Sequence, residues 1–223
     1  MMTEAKSQWG VIFDVDGVLV DSYEAHFESW KIMLRRHGED MTEEQFRATF
    51  GQTNPTIFRA QYPAFDEADY DALGEEKETA YREIIREAFP EISGAAELIG
   101  NLHEAGATLA IGSSGPPENV QAVLDVLPGS EHIAAAVNGK DVTHGKPAPE
   151  VFLKAASKIN LPPERCVVVE DAPVGVEAGK AAGCKVIALT GTADALELSQ
   201  ADLVVDSLVG LGAAEVRALL SAE

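Results

Sequence analysis

A chain of 223 residues that is 46% hydrophobic suits one large domain, or a core carrying a smaller insertion, with a substantial buried interior. Its formal charge of −20 argues against nucleic acid, whose phosphates call for clustered Lys and Arg, and leaves acidic faces whose plain role is solubility. Apolar runs are strand-length, none near the roughly 20 residues that cross a bilayer, so no membrane partner is expected.

The opening segment MMTEAKSQWG lacks the apolar run and small-residue cleavage site of a secretory signal, which predicts a cytoplasmic protein. Val11 to Phe13, with Gly10 before them, form the first predicted strand. The stretch 22–91 that follows contains no convincing strand. Tyr23 to His37 sets Phe27, Trp30, Met33 and Leu34 on one helical face, Thr42 and Gln45 are spaced as a capping box, and Asn54 followed by Pro55 marks another helix start. Residues 66–89 supply one or two more helices before Pro90.

Beyond that stretch the pattern alternates. A helix over 95–105 closed by Gly106 precedes a strand at 108–112. A helix over 118–127, a weaker strand at 134–137 and a helix over 149–159 follow. Then come a strand at 166–170, a helix over 174–182 closed by Gly183, and strands at 185–189 and 203–205. The fold class is α/β: a parallel sheet with helices on both faces, built from 1–21 and 92–223, and an all-helical insertion at 22–91. Cys166 and Cys184, far from metal-ligand spacing such as CxxC, read as reduced structural thiols.

Ligands of an open parallel sheet bind beyond the carboxyl ends of its strands, so polar residues just after apolar runs are the first candidates. The first strand ends in VIFDVDGVLVDS, with Asp14 and Asp16 one residue apart. The second ends in LAIGSSGP, with Ser113, Ser114 and Gly115, and a later one in VVVEDAPVG, with Glu170 and Asp171. Carboxylates at Asp14, Asp16 and Asp171 suit a hard cation such as Mg²⁺, which would let an acidic protein bring a carboxylate nucleophile up to a phosphate. Ser113 lacks the His and Asp company of a hydrolase triad. His37, His103, His132 and His144 are scattered and read as surface or packing residues.

The DxDG spacing resembles the first motif of the haloacid dehalogenase superfamily, in its phosphatase and phosphomutase branch. Ser113, Lys146 in GKPAPEVF, and Glu170 with Asp171 match the other three motifs in order, so the resemblance spans almost the whole chain. It implies a Rossmann-like core in which Asp14 is the nucleophile that forms an aspartyl-phosphate and Asp16 is the general acid and base. Asp14, Asp171, Glu170 through water, and the Asp16 backbone carbonyl are implied at the Mg²⁺ site. Ser113 and the N–H groups around Ser114 and Gly115 would hold the phosphoryl oxygens, and Lys146 would stabilise developing charge. Pro147 and Pro149 would restrict the lysine loop.

The helical insertion resembles the cap this branch carries after its first motif, which selects substrate and excludes water. His26 matches a His of β-phosphoglucomutase-like proteins and is either a partly buried helix residue or a contact that positions Asp16. Lys77, among Glu75, Glu76 and Glu78, is either a surface ion-pair residue or a substrate contact, and Gly51 matches a substrate-contacting loop. Asn54 stands where the sugar-phosphate mutases carry Arg, and Asn cannot replace bidentate phosphate recognition.

The expected activity is Mg²⁺-dependent hydrolysis of a small phosphorylated metabolite, a sugar phosphate or related monoester, by a monomer or weak homodimer. A hexose-phosphate mutase is the alternative within the family. A phospho-accepting receiver module is the alternative outside it, and would need no cap. A dehalogenase would lack the acid at Asp16, and a phosphonatase would need an imine-forming cap lysine.

Overall fold

Gly10–Phe13 (GVIF) forms β1 with all four residues buried, as a continuous apolar run requires when helices cover both faces of a parallel sheet. The chain continues through α1 (Tyr23–Arg36), α2 (Glu43–Thr49), α3 (Asn54–Gln61) and α4 (Tyr70–Glu87). It then forms α5 (Ala95–Glu104), β2 (Thr108–Gly112), α6 (Pro117–Leu124), β3 (Ile133–Val137) and α7 (Glu150–Lys158). The last elements are β4 (Cys166–Glu170), α8 (Pro173–Ala181), β5 (Lys185–Leu189), β6 (Leu203–Val205) and α9 (Ala213–Ala218). This computed structural model describes residues 8–49 and 52–221. Two units are distinct: the chain up to Asp21 with that from Pro90 onward, and Ser22–Phe89.

In the first unit the six strands form one parallel sheet in the order β3-β2-β1-β4-β5-β6. β1 lies at the centre, and the winding reverses between β1 and β4, the crevice where doubly wound sheets bind ligands. One apolar layer packs Ile12, Val168 and Val186 of the strands against Val151, Phe152, Ala155 and Val176 of α7 and α8. Pro90 to Ile92 bond back to the segment after β1, Asp21 N–H to Pro90 O at 2.8 Å and Ile92 N–H to Leu19 O at 3.2 Å, so the division falls at Phe89.

α6 stops at Leu124, earlier than the apolar pattern through Leu127 predicts. Leu127 precedes Pro128, whose ring disfavours helical backbone in the residue before it, and the chain turns there through Val126 N–H and Leu127 N–H to Val123 O. Cys166 and Cys184 are free and buried, and burial pushes their thiols up to about 11 and about 12, which disfavours the thiolate at both. No helix among the described residues is long and apolar enough to cross a membrane.

The second unit has its own core of Trp30, Met33, Leu34, Phe46, Ile57, Phe58, Tyr70 and Leu73. Trp30 meets Phe58 edge-on and Phe58 stacks on Tyr70, tying α1, α3 and α4 together. The predicted capping box is present: Gln45 N–H donates to Thr42 Oγ1 at 3.2 Å and Thr42 N–H to Gln45 Oε1 at 2.8 Å.

Candidate active site

The register of the sheet gathers the candidates. Phe13 lies opposite Ile111 of β2 and Val169 of β4, so Asp14, Ser113 and the pair Glu170 and Asp171 emerge at one level of three adjacent strands. Asp14 N–H donates to Val169 O at 2.9 Å, holding the Asp14 backbone to β4, and Ser113 N–H donates to Val137 O at 3.0 Å. After Asp14 the chain turns tightly, with Val15 O accepting from the N–H groups of Val18, Leu19 and Val20. Gly17 has φ +72° in this turn, and a Cβ there would lie 1.8 Å from Asp171 Oδ2, so the position both needs left-handed backbone and abuts a site carboxylate.

Lys146 joins the two strand ends. Its Nζ lies 2.8 Å from Asp14 Oδ1 and 2.7 Å from Glu170 Oε1, above the Phe152 ring at 4.9 Å from the centroid. Burial alone would lower the Lys146 ammonium, but the Asp14 and Glu170 carboxylates beside it hold it above its ordinary value, so it stays charged. Glu170 is held by three hydrogen bonds: Oε1 accepts from Lys146, and Oε2 from Asp171 N–H at 2.7 Å and Ala172 N–H at 2.8 Å.

Negative charge remains in excess. Oxygens of Asp14, Glu170 and Asp171 lie within 4.8 Å of one another, all three residues are buried, and Lys146 is the cation seated between Asp14 and Glu170. Burial pushes Asp14 up to about 7, with Glu170 and Asp16 adding to the rise and Lys146 opposing it. Asp171 is pushed up to about 8 by burial and by the Glu170 and Asp14 charges. Three buried carboxylates, two of them forced toward protonation, are a donor set that a hard divalent cation fits.

The remaining core candidates adjoin this centre. Ser113 Oγ accepts from Gly115 N–H at 2.9 Å. The Cβ position of Gly115 would lie 3.2 Å from Ser113 Oγ and 3.9 Å from Asp16 Oδ2, which puts the Asp16 carboxylate beside the Ser113 loop. Sequence reasoning missed Thr192, whose side chain hydrogen-bonds to Asp171 and opposes the rise in its pKa. The signal was present, a hydroxyl residue three positions beyond the apolar run of β5, but it falls outside the four motifs.

Among the helical-unit candidates, Gly51 lies outside the described residues. Lys77 and His26 come together: Lys77 Nζ donates to His26 Nδ1 at 2.7 Å, and the His26 ring stacks on Tyr81 with centroids 4.1 Å apart. A Lys77 ammonium can only donate, so with that group charged the contact requires an unprotonated Nδ1 on His26. Of the three neighbouring glutamates, Glu78 pairs with Lys77 at 3.0 Å, Glu75 with Arg82, and Glu76 with Arg36 and His37. Lys77 is 2% exposed, so the surface ion-pair reading does not hold. Asn54 Nδ2 donates to Glu78 Oε1 at 2.8 Å, joining the same network.

A strand-end aspartate bonded to a buried lysine, next to a pocket of carboxylates at the switch point of a parallel sheet, defines a Rossmann-like enzyme core. The haloacid dehalogenase-like hydrolase family matches residues 10–183, and the chain belongs to that family. It is 38% identical over 202 residues to hexitol phosphatase A of Escherichia coli (strain K12), covering 89% of this chain and 91% of that protein. It is 29% identical over 203 residues to the β-phosphoglucomutase of Bacillus subtilis (strain 168), covering 87% and 88%. Among solved structures, CbbY from Rhodobacter sphaeroides in complex with phosphate superposes with a TM-score of 0.83 at 25% identity, covering 94% of this chain and 99% of that one.

Proposed function

We propose that the protein hydrolyses a small sugar or polyol phosphomonoester through an aspartyl-phosphate on Asp14, with Mg²⁺ as cofactor. The observation that carries this reading is the buried contact of Asp14 with Lys146 at 2.8 Å inside the carboxylate cluster, because it supplies a nucleophile and a fixed positive charge at one point. Asp14 Oδ attacks phosphorus. Asp16 protonates the departing alkoxide, then takes a proton from the water that cleaves the phosphoenzyme. Ser113, Ser114 and Gly115 hold the phosphoryl oxygens, and Lys146 offsets the charge that develops on them. Asp14, Asp171, the Asp16 carbonyl and Glu170 through water would hold the Mg²⁺, which when bound neutralises phosphate charge that the acidic site would otherwise repel.

His26, Gly51 and Lys77 are proposed to contact the substrate. A mutase must grip a second phosphate, and this chain has Asn54 where the mutases have Arg, with its amide already given to Glu78. That, and the name of the hexitol phosphatase relative, favour hydrolysis of a monoester whose far end is hydroxylated and uncharged. Screening phosphorylated sugars and polyols with Mg²⁺ tests the reading: inorganic phosphate is expected without isomer formation. Isomer formation without net phosphate release would identify a mutase, and a stable phospho-Asp14 without turnover a receiver.

The metal assignment has a pH signature. Unfolded Asp titrates near 4, whereas folded Asp14 and Asp171 are raised to about 7 and about 8. Between those limits the folded metal-free protein holds protons that the unfolded chain has released. Their contribution to stability is therefore complete below about pH 4 and lost as pH rises through 7 to 8. Mg²⁺ binds the ionised carboxylates and restores it. The rise in melting temperature produced by a fixed Mg²⁺ concentration is expected to be larger at pH 8 than at pH 6, and equal shifts in thermal denaturation would count against a site at these two residues.

A further inference from the structure

We propose that Glu150 is a positioning residue for Lys146, clasping the backbone of the loop that carries it. This rests on the reading of Lys146 as the group that stabilises charge on the transferred phosphoryl. The Lys146 ammonium is buried between Asp14 and Glu170, yet its backbone belongs to an irregular segment in which Thr143, His144 and Gly145 are exposed. A long, flexible side chain reaching inward from such a loop is only as well placed as the loop itself.

α7 supplies the restraint. Glu150, its first residue, accepts at Oε2 from Thr143 N–H at 3.0 Å and His144 N–H at 2.9 Å, immediately before Gly145 and Lys146. Its other oxygen, Oε1, meets Lys154 Nζ at 2.6 Å, and Lys154 also donates to Asp141 O at 2.5 Å, where the segment begins. The Asp141 carboxylate in turn accepts from Asn138 N–H at 2.9 Å, and Gly139 N–H donates to Gly115 O at 2.8 Å. Ala148 N–H to Gly145 O, at 3.0 Å, closes the turn around Lys146.

Two residues beyond Glu150, Phe152 lies under the Lys146 ammonium, so the same helix end fixes the loop backbone and floors the side chain's seat. The Lys154 ammonium, then the His144 and Thr143 N–H groups, hold the Glu150 carboxyl down at about 2, so the clasp stays ionised at any working pH. Glu150 belongs to no apolar cluster. Val151, Phe152, Ala155 and Ala156 anchor α7 to the sheet, so removing the carboxylate slackens the loop without uncovering the core.

The experiment is a double-mutant cycle in kcat, measured with Mg²⁺ and the best substrate of the screen at a temperature where melting curves show every variant folded. Glu150→Ala is expected to lower kcat roughly tenfold or more, since an ångström-scale misplacement of a charge-stabilising group is felt at the transition state, while KM moves less. Glu150→Gln, whose amide oxygen can still accept both N–H groups, is expected to recover most of the turnover. Glu150→Asp keeps the charge but shortens the reach, and should fall between them. It stands in for the alanine variant should that one not fold. In a Lys146→Ala background, Glu150→Ala and Glu150→Asp are each expected to add less than about a twofold further loss.

Unchanged kcat in Glu150→Ala, or the same loss with and without Lys146, overturns the clasp. Full activity in Lys146→Ala would instead overturn the role of Lys146, and the clasp with it.

Discussion

Asp14→Asn is expected to release no measurable phosphate from any substrate the wild type hydrolyses, a loss of roughly 10⁴-fold or more, as for removal of a covalent nucleophile. The amide is nearly isosteric and its oxygen can still accept from Lys146, so geometry changes little while nucleophilicity disappears. Nor should the fold suffer. Asp14 is one of the three buried carboxylates of this cluster, and burial pushes it up to about 7, which marks it as a group the folded chain holds ionised only at a cost. Lys146 keeps Glu170 at 2.7 Å. The melting temperature of metal-free Asp14→Asn at pH 8 should match or exceed that of the wild type. Asp16→Asn serves as the comparison: the acid and base role proposed for Asp16 predicts that it loses activity too, and phosphate release unchanged from wild type would remove Asp16 from the mechanism. A folded Asp14→Asn that still turned over would remove Asp14.

The site lay open in the sequence wherever strands buried on both faces end in polar residues. GVIF, TLAIG and CVVVE are continuous apolar runs because the parallel sheet is covered by helices on both sides, and the residues just after or at their ends form the centre. What stayed hidden depends on contacts between distant segments. Thr192 is one hydroxyl among many until β5 is set beside β4. Glu150 looks like an ordinary acidic residue in the first turn of a helix until the loop before it folds back onto its carboxylate. Lys77 was ambiguous because three glutamates surround it in sequence. On α4 those glutamates point different ways, and two of them pair with Arg82, Arg36 and His37, leaving Glu78 and His26 for the lysine. The early end of α6 was legible in principle from Pro128, but the apolar pattern runs on past it.

Gly175→Ala sets two effects of opposite sign against each other at one helical position. Gly175 is the third residue of α8, where alanine would ordinarily stabilise by up to about 1 kcal/mol through its greater helix propensity. Here the added Cβ would lie 1.7 Å from Glu170 Oε1, 1.9 Å from its Cδ and 2.4 Å from Oε2, so the entire carboxylate has to leave. That carboxylate is 1% exposed and makes hydrogen bonds to Lys146, Asp171 N–H and Ala172 N–H. Evicting it breaks a buried ion pair, a change that costs roughly 3–5 kcal/mol where one partner is left behind.

The eviction outweighs the propensity gain severalfold, so a clear drop in melting temperature is expected. Activity should fall further than stability, by about 10² or more at temperatures where the variant is folded, because Lys146 loses one of its two anchors and the backbone leading to Asp171 loses its acceptor. Gly100→Ala is the control: Gly100 lies inside α5 with nothing within 4 Å of its added Cβ, so the propensity gain stands alone and the protein should be slightly stabilised with turnover intact. If Gly175→Ala were stabilised in the same way, with activity retained, Glu170 would have room to move, and its bond to Lys146 would not be part of the catalytic geometry.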